Sequence, residues 1–214
     1  MIKKYFLLNA LFVLSMTSYA EPLDPVKLLS SYVGIDTVNP PGNESRAVDF
    51  YAKIFEEEGI EFSSAESAPG RGNIWARIKG GDLPALILLQ HTDVVPATKK
   101  YWDTDPFVAE IKDGYLYGRG VIDMKGAGIS QLVSFIRLHR SGLSLNRDVV
   151  FVATADEEAG GMFGAGWLID NHPEIFEGAG FVINEGGSGQ IIDGEKVFAI
   201  EITQKVPVWL RFTA

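Results

Sequence analysis

Apolar residues recur along this chain with two spacings, one typical of helices and one typical of strands. Helical spacing predicts helices over residues 25–33, 45–59, 125–140 and 164–171. Apolar runs or alternation predict strands over 73–78, 85–89, 148–155, 180–184 and 196–203, a hairpin over 111–117, and the NPPG segment at 39–42 predicts a loop. Because helices and strands alternate, we predict an α/β fold with a mainly parallel sheet flanked by helices.

Composition narrows the function classes. Of the 214 residues, 46% are hydrophobic and 22% are charged, which is typical of a folded globular protein. The formal net charge is −9 and the sequence has no basic run, so we expect no nucleic-acid partner. The chain has no cysteine, which excludes disulfides and thiolate metal sites. Any metal ion must therefore be held by His, Asp and Glu.

Residues 1–20 have the pattern of a signal peptide. Lys3 and Lys4 precede an apolar run, and Ser18-Tyr19-Ala20 offers small residues at a cleavage site. The alternative is an N-terminal membrane anchor, but the run is short for a hydrocarbon core of about 30 Å. No second stretch of the sequence is apolar enough to span a bilayer. We therefore expect a mature protein without a membrane span, exported across an inner membrane and periplasmic.

Polar residues follow the predicted apolar strands. His91 and Asp93 come directly after the segment 86–90, and an imidazole that binds a metal needs an acceptor such as Asp93 on its second nitrogen. Asp123 lies between glycine-rich turns before a helix, where it either caps that helix or bridges two cations. Strands of a parallel sheet deliver such residues to one edge. This set of donors, without sulfur, favours zinc or manganese.

Two further acidic segments follow the same rule. Glu157 and Glu158 belong to a run of three carboxylates directly after the strand at 148–155, and Glu185 follows the strand at 180–184. Three adjacent carboxylates repel one another unless cations offset their charge, although a solvated acidic loop is the simpler alternative. Adjacent glutamates can divide the work, one binding metal and the other accepting a proton from a metal-bound water.

Four motifs in order, HTD at 91–93, GRGVIDMKG at 118–126, DEEAGG at 156–161 and INEGG at 183–187, resemble the co-catalytic zinc metallopeptidase family. That family includes carboxypeptidase S, aminoacylase, glutamate carboxypeptidase, acetylornithine deacetylase and succinyl-diaminopimelate desuccinylase. The resemblance covers roughly residues 25–214. It implies two Zn²⁺ ions, with Mn²⁺ or Co²⁺ as alternatives. The implied ligands are His91, Asp123 and Glu185 for one ion, and Asp123 and Glu158 for the other.

The resemblance also implies a reaction. Glu157 would be the general acid and base, Asp93 would orient His91, and the peptide bond between Asp123 and Met124 would be cis. The implied function is a zinc-dependent hydrolase of the metallopeptidase or carboxypeptidase type, which cleaves amide bonds of small peptides or N-acyl amino acids. The alternatives are a metal-poor remnant that binds a peptide or partner, and an unrelated α/β protein whose acidic loops lie far apart.

Members of this family are usually about twice as long, with an inserted lid and dimerisation domain and one further zinc-binding histidine after it. We therefore expect residues 21–207 to be the N-terminal part of a catalytic domain and 208–214 to begin the lid. His139 and His172 do not occupy the place of the further histidine, and both are predicted to be structural or surface residues. We expect little or no hydrolase activity from the 214-residue chain alone, and a homodimer remains open for the full-length protein.

Overall fold

The structure is a computed structural model that describes residues 22–200. The predicted signal peptide at 1–20 and the predicted lid segment at 208–214 lie outside these residues. The helices are α1 (Pro25–Val33), α2 (Ser45–Glu58), α3 (Gly126–Ser141) and α4 (Ala165–Asn171). The strands are β1 (Phe62–Glu66), β2 (Gly72–Ile78), β3 (Leu83–His91), β4 (Glu110–Lys112), β5 (Tyr115–Tyr117), β6 (Arg147–Thr154), β7 (Ala179–Ile183), β8 (Ser188–Ile192) and β9 (Glu195–Ala199).

The central sheet confirms the predicted α/β class. Its five strands have the order β1-β2-β6-β3-β7, and β3 pairs in parallel with both β6 and β7. The sheet is mixed, however, because β1 and β2 join it in antiparallel pairs. Strands β1 and β8 were not predicted. The sequence of β1, FSSAE, is an exposed or half-exposed edge with little apolar pattern.

Local signals account for the helix ends. The Asp24 side chain caps α1 by accepting hydrogen bonds from the main-chain N–H groups of Val26 and Lys27, at 3.0 and 3.1 Å. Helices α2 and α3 end at Gly59 and Gly142, whose φ angles of 65° and 60° place them in the left-handed region that glycine adopts without strain. The predicted helix over 164–171 is confirmed as α4, apart from its first residue.

Apolar side chains cover both faces of the sheet. On one face, Phe151 of β6 packs with its ring centroid 5.4 Å from Tyr51, 5.5 Å from Phe55 and 5.7 Å from Phe135, which lie on α2 and α3. On the other face, Val150 and Val152 of the same strand belong to a smaller buried cluster that includes Leu168 of α4. The continuous apolar run of β6 therefore reflects burial on both sides.

Strand β7 forms an edge of the sheet as far as residues 22–200 show. Its apolar side chains Phe181, Val182 and Ile183 are half or more exposed. The hairpin of β8 and β9 follows it in the chain and exposes Ile191 and Phe198 in the same way. Within the described part of the chain, no helix is long and apolar enough to cross a membrane.

The register of the parallel strands positions the acidic segments. His91, the last residue of β3, pairs with Thr154 at the end of β6, and Leu88 pairs with Ile183 at the end of β7. The segments that follow these three strands therefore leave the sheet at the same edge.

A wide turn at Val121–Lys125 precedes α3. Helix α3 thus begins one residue later than predicted, and Lys125 belongs to the turn. The buried Lys125 ammonium donates hydrogen bonds to the carbonyls of Tyr32 and Ile35, at 3.0 and 2.8 Å, which ties the turn to the end of α1. The Asp123-Met124 peptide bond is cis, as expected.

Candidate metal centre

His91 lies at the centre of the site. Its side chain is 2% exposed, and its Nε2 atom lies 2.9 Å from Asp123 Oδ1 and 3.3 Å from Glu185 Oε2. Its Nδ1 atom lies 3.0 Å from the main-chain carbonyl oxygen of Asp93 and 3.4 Å from the Asp93 carboxylate. The nearest acceptor for Nδ1 is therefore the carbonyl of Asp93, whereas the sequence pointed to its carboxylate.

The acidic residues converge on this imidazole. Two sets of three potential ligand atoms lie within 4.8 Å of one another, one from His91, Glu157 and Glu185, and one from His91, Asp123 and Glu158. We call these five residues the His91 cluster. The arrangement excludes the alternative of unrelated acidic loops, which required the residues to lie far apart. The roles of the individual residues as ligands or base stay predictions.

The two remaining histidines lie elsewhere. His139 is exposed on α3. The ring of His172 packs against Trp75 and Trp167, with centroid distances of 5.0 and 5.3 Å, and its Nδ1 atom lies 3.2 Å from Glu174. Neither belongs to the metal-ligand groups found among residues 22–200.

The His91 cluster is electrostatically unbalanced. Burial, reinforced by the negative charge of Asp123, raises the pKa of Glu158 to about 7. Burial also raises the pKa of Glu185. For His91, burial lowers the pKa, but the contacts with Asp93 and the charges of Glu185 and Glu157 outweigh it and raise the pKa to about 10. Asp123, Glu157 and Glu185 each form an ion pair with the protonated His91. Within residues 22–200 these three carboxylates have no ion pair with a lysine or an arginine.

Asp93 links the segment after β3 to the segment after β6. It is 1% exposed, and its Oδ1 and Oδ2 atoms accept hydrogen bonds from the main-chain N–H groups of Glu157 and Glu158, at 3.0 and 3.1 Å. Burial raises the pKa of Asp93, but hydrogen bonds from His91 and Asn39 outweigh this and lower it. A buried, ionised carboxylate that fixes two neighbouring segments is consistent with the predicted orienting role.

A buried polar network beneath the His91 cluster was not predicted. Arg71 forms ion pairs with Asp156 and, at 3.2 Å, with Glu44, and it donates a hydrogen bond to Asn39 Oδ1 at 3.2 Å. All four side chains are nearly inaccessible to solvent. The signals in the sequence were faint. Arg71 stands between two glycines just before a strand, Asp156 is the first carboxylate of the DEE run, and the NPPG segment indicated only a loop.

The donor set fits divalent cations. One imidazole and four carboxylates converge, and the excess negative charge favours a bound cation. Their side chains range from buried, at His91, to 60% exposed, at Asp123. Nitrogen and oxygen donors without sulfur are typical of zinc and manganese sites. The chemistry of these residues therefore makes them candidate ligands for divalent cations.

A model of peptidase family M20/M25/M40 matches residues 87–208. Human aminoacylase-1 is 33% identical over 193 residues, which is 88% of this chain and 46% of that protein. The solved structure of human carnosine dipeptidase 1 is similar over 75% of this chain and 37% of that chain, with 26% identity and a TM-score of 0.57.

An M20 family metallo-carboxypeptidase from Sulfolobus solfataricus has the same fold, with a TM-score of 0.66 and 22% identity over 77% of this chain and 38% of that chain. The chain spans about half the length of the curated relatives it matches. More than half of its residues fall within the family model, and the order of the motifs and the geometry at the sheet edge agree with that match. The chain therefore belongs to peptidase family M20/M25/M40.

Proposed function

We propose that the protein is a metal-dependent hydrolase that cleaves amide bonds of N-acyl amino acids or small peptides. The observation that supports this most directly is the convergence of Asp123, Glu157, Glu158 and Glu185 on His91. The similarity to proteins named aminoacylase and dipeptidase supports the substrate class.

In this proposal His91, Asp123 and Glu185 hold one ion, and Asp123 and Glu158 hold the other. Zinc is the preferred metal, with manganese and cobalt as alternatives. Bound ions of this kind lower the pKa of a water molecule and polarise the carbonyl of the scissile amide.

Glu157 performs the proton transfers. Its carboxylate is half-exposed and lies 4.0 Å from His91 Nε2, while its main-chain N–H is held by Asp93. It removes a proton from the attacking water, whose oxygen bonds to the acyl carbon. It then gives that proton to the nitrogen as the C–N bond breaks, so that a carboxylic acid and an amine leave. Asp93 keeps the imidazole of His91 oriented throughout.

Zinc content and hydrolysis of a substrate panel test this proposal. Both are measured for the 214-residue chain and for any longer reading frame that contains it, with N-acetyl amino acids and dipeptides as substrates. We expect bound zinc, little or no hydrolysis by the 214-residue chain alone, and release of free amino acid by the longer polypeptide that a chelator stops and added zinc restores. Stoichiometric zinc without hydrolysis in either polypeptide, or no zinc at all, would favour the alternative of a binding module.

The proposal extends to location and assembly. The lysines and apolar run of residues 1–20 support export and cleavage, which gives a periplasmic protein. A homodimer is one possible assembly of a longer polypeptide that contains the lid domain. Mass spectrometry of the mature N-terminus, cell fractionation and light scattering test these points, and retention of residues 1–20 in a membrane fraction would contradict the predicted cleavage.

A further inference from the structure

We propose that Asn39 is a positioning residue, which sets the places of Glu157 and Glu158 through the buried carboxylates Asp93 and Asp156. The inference rests on the proposed function only in so far as these two glutamates bind metal and act on water. The placement of their main chain is a separate claim that can be tested without metal.

The side-chain amide of Asn39 bridges two buried acids. It is 5% exposed, and its Nδ2 group donates hydrogen bonds to Asp93 Oδ2 at 2.8 Å and to Asp156 Oδ1 at 3.2 Å. An amide NH₂ group has two hydrogens, so both are used. Asn39 is thus a neutral donor between two carboxylates that would otherwise repel each other.

Arg71 fixes which way this amide points. Its Nη1 group donates to Asn39 Oδ1 at 3.2 Å and to the carbonyl of Pro41 at 2.7 Å, while its Nη2 group pairs with Asp156 and Glu44. Because the guanidinium has only donors, the oxygen of the Asn39 amide faces Arg71 and the NH₂ group faces the two acids. Only one orientation of the Asn39 side-chain amide therefore satisfies all of these hydrogen bonds.

Main-chain bonds hold Asn39 beside Asp93 independently of its side chain. The N–H of Asn39 donates to the carbonyl of Val94 at 2.9 Å, and the N–H of Val94 donates to the carbonyl of Thr37 at 3.0 Å. The Thr37 hydroxyl also donates to the carbonyl of Thr92 at 2.7 Å. A substitution at position 39 therefore changes the bridge and leaves these anchors available.

Asp93 and Asp156, which Asn39 holds in place, are hydrogen-bonded to the main chain of the segment after β6. Asp93 accepts the N–H groups of Glu157 and Glu158, and Asp156 Oδ2 accepts the N–H of Phe163 at 3.1 Å. A displaced Asp93 carboxylate releases both glutamate amides at once. The spacing of the two glutamate side chains from His91 then changes, although the Asn39 amide itself bonds Asp93, Asp156 and Arg71 rather than either glutamate.

The test is Asn39→Asp, which keeps the size of the side chain and places a third negative oxygen against the two acids. Amide hydrogen exchange is followed by NMR in the metal-free protein, and zinc affinity by competition with a chromophoric chelator. We expect exchange of the Glu157 and Glu158 amides to accelerate at least about 10-fold and zinc affinity to fall about 10- to 100-fold. The cobalt-substituted protein should change its visible spectrum.

Asn73→Asp is the matched control. Asn73 is fully buried, accepts a hydrogen bond from the N–H of Ala155 at 2.9 Å and donates to the carbonyl of Phe163 at 3.1 Å. The Asn73→Asp substitution therefore adds a buried negative charge near the network, at a side chain that does not face Asp93. We expect it to lower the unfolding midpoint while the Glu157 and Glu158 amides and zinc affinity change less than about 2-fold. Asn39→Ala, which removes the bridge without adding charge, repeats the test if Asn39→Asp does not fold.

Two results would overturn the inference. One is a folded Asn39 variant whose glutamate amides exchange at the parent rate and whose zinc affinity is unchanged. The other is an Asn73→Asp protein with the same losses as Asn39→Asp. A parent protein that binds no zinc contradicts the proposed metal function instead, and the exchange of the two amides still decides the role of Asn39.

Discussion

The imidazole Nε2 of His91 and the carboxylate Oδ1 of Asp123 lie 2.9 Å apart, although the two residues are separated by 32 positions in the sequence. Strand β3 delivers the first and the wide turn before α3 delivers the second. His91 is also the one residue common to both sets of potential metal ligands.

Replacing His91 by alanine is expected to abolish tight metal binding, because it removes the imidazole donor around which the carboxylates converge. Zinc measured by atomic spectroscopy after exhaustive dialysis should fall by at least one equivalent per chain. His139→Ala, which alters an exposed histidine on α3, should retain the parent zinc content. Equal zinc in the parent and the His91 variant would place the metal elsewhere.

Glu157→Gln separates binding from chemistry. The amide keeps the size of the side chain but cannot accept the proton of the attacking water, so kcat should drop by at least about 100-fold. Zinc content should stay at the parent level. Glu56→Gln on the exposed side of α2 serves as the control and should leave kcat unchanged. A fully zinc-loaded Glu157→Gln enzyme with near-normal turnover in the full-length protein would refute the assignment.

Glu44 makes stability depend on pH. Burial raises its pKa to about 7 from an ordinary value of 4.5, although Arg71 lowers it in part. The folded protein therefore holds this proton more tightly than the unfolded chain does. The contribution to the free energy of unfolding is complete below about pH 4.5 and is lost as the pH rises to about 7, by about 3 kcal/mol.

The variant Glu44→Gln cannot titrate and should lack this loss. Urea unfolding from pH 4.5 to pH 8 gives the free energy of unfolding of the parent and of the variant at each pH. The difference between the two values measures the contribution of Glu44, because groups common to both proteins cancel. Glu57→Gln, at an exposed position of α2, the helix that begins directly after Glu44, should follow the parent curve. Parallel curves for the parent and Glu44→Gln would contradict this origin.

Gly164 lies where the chain leaves the acidic segment and enters α4. A Cβ atom added there would lie 1.8 Å from the main-chain carbonyl oxygen of Ala155, which cannot move away as a flexible side chain would. Gly164→Ala should cost about 1–3 kcal/mol of stability. At Gly34 the nearest atom would be 3.5 Å away and φ is −70°, so Gly34→Ala should change stability by less than about 0.5 kcal/mol. Equal unfolding midpoints for the two variants would contradict the steric argument.

The sequence predicted best those features that depend on local periodicity. The buried strands β3 and β6 appear as continuous apolar runs, and residues at the end of β3 and just after β6 belong to the His91 cluster because the ends of parallel strands share an edge. Composition alone limited the donors to His, Asp and Glu. The α/β class and the helices followed from these signals, and the family followed from the resemblance of the four ordered motifs.

The network of Asn39, Glu44 and Arg71 could not be predicted in this way. These residues come from three separate segments, one of them a loop and one a helix boundary, and their partners are set by folding rather than by spacing. Strand β1 and the antiparallel pairing of the predicted strand β2 could not be predicted for a related reason. Strand β1 is a polar edge whose place in the sheet is decided by its neighbour.

The apolar border formed by β7 bears on how this polypeptide behaves in solution. Phe181, Val182 and Ile183 combine solvent-facing hydrophobic side chains with a row of main-chain groups at the sheet margin. Such a margin acts as a template for another strand, from the same or a different chain. A polypeptide that leaves this border uncovered should therefore aggregate as it is concentrated, and shielding the border will matter as much for handling the protein as the chemistry of the adjoining His91 cluster.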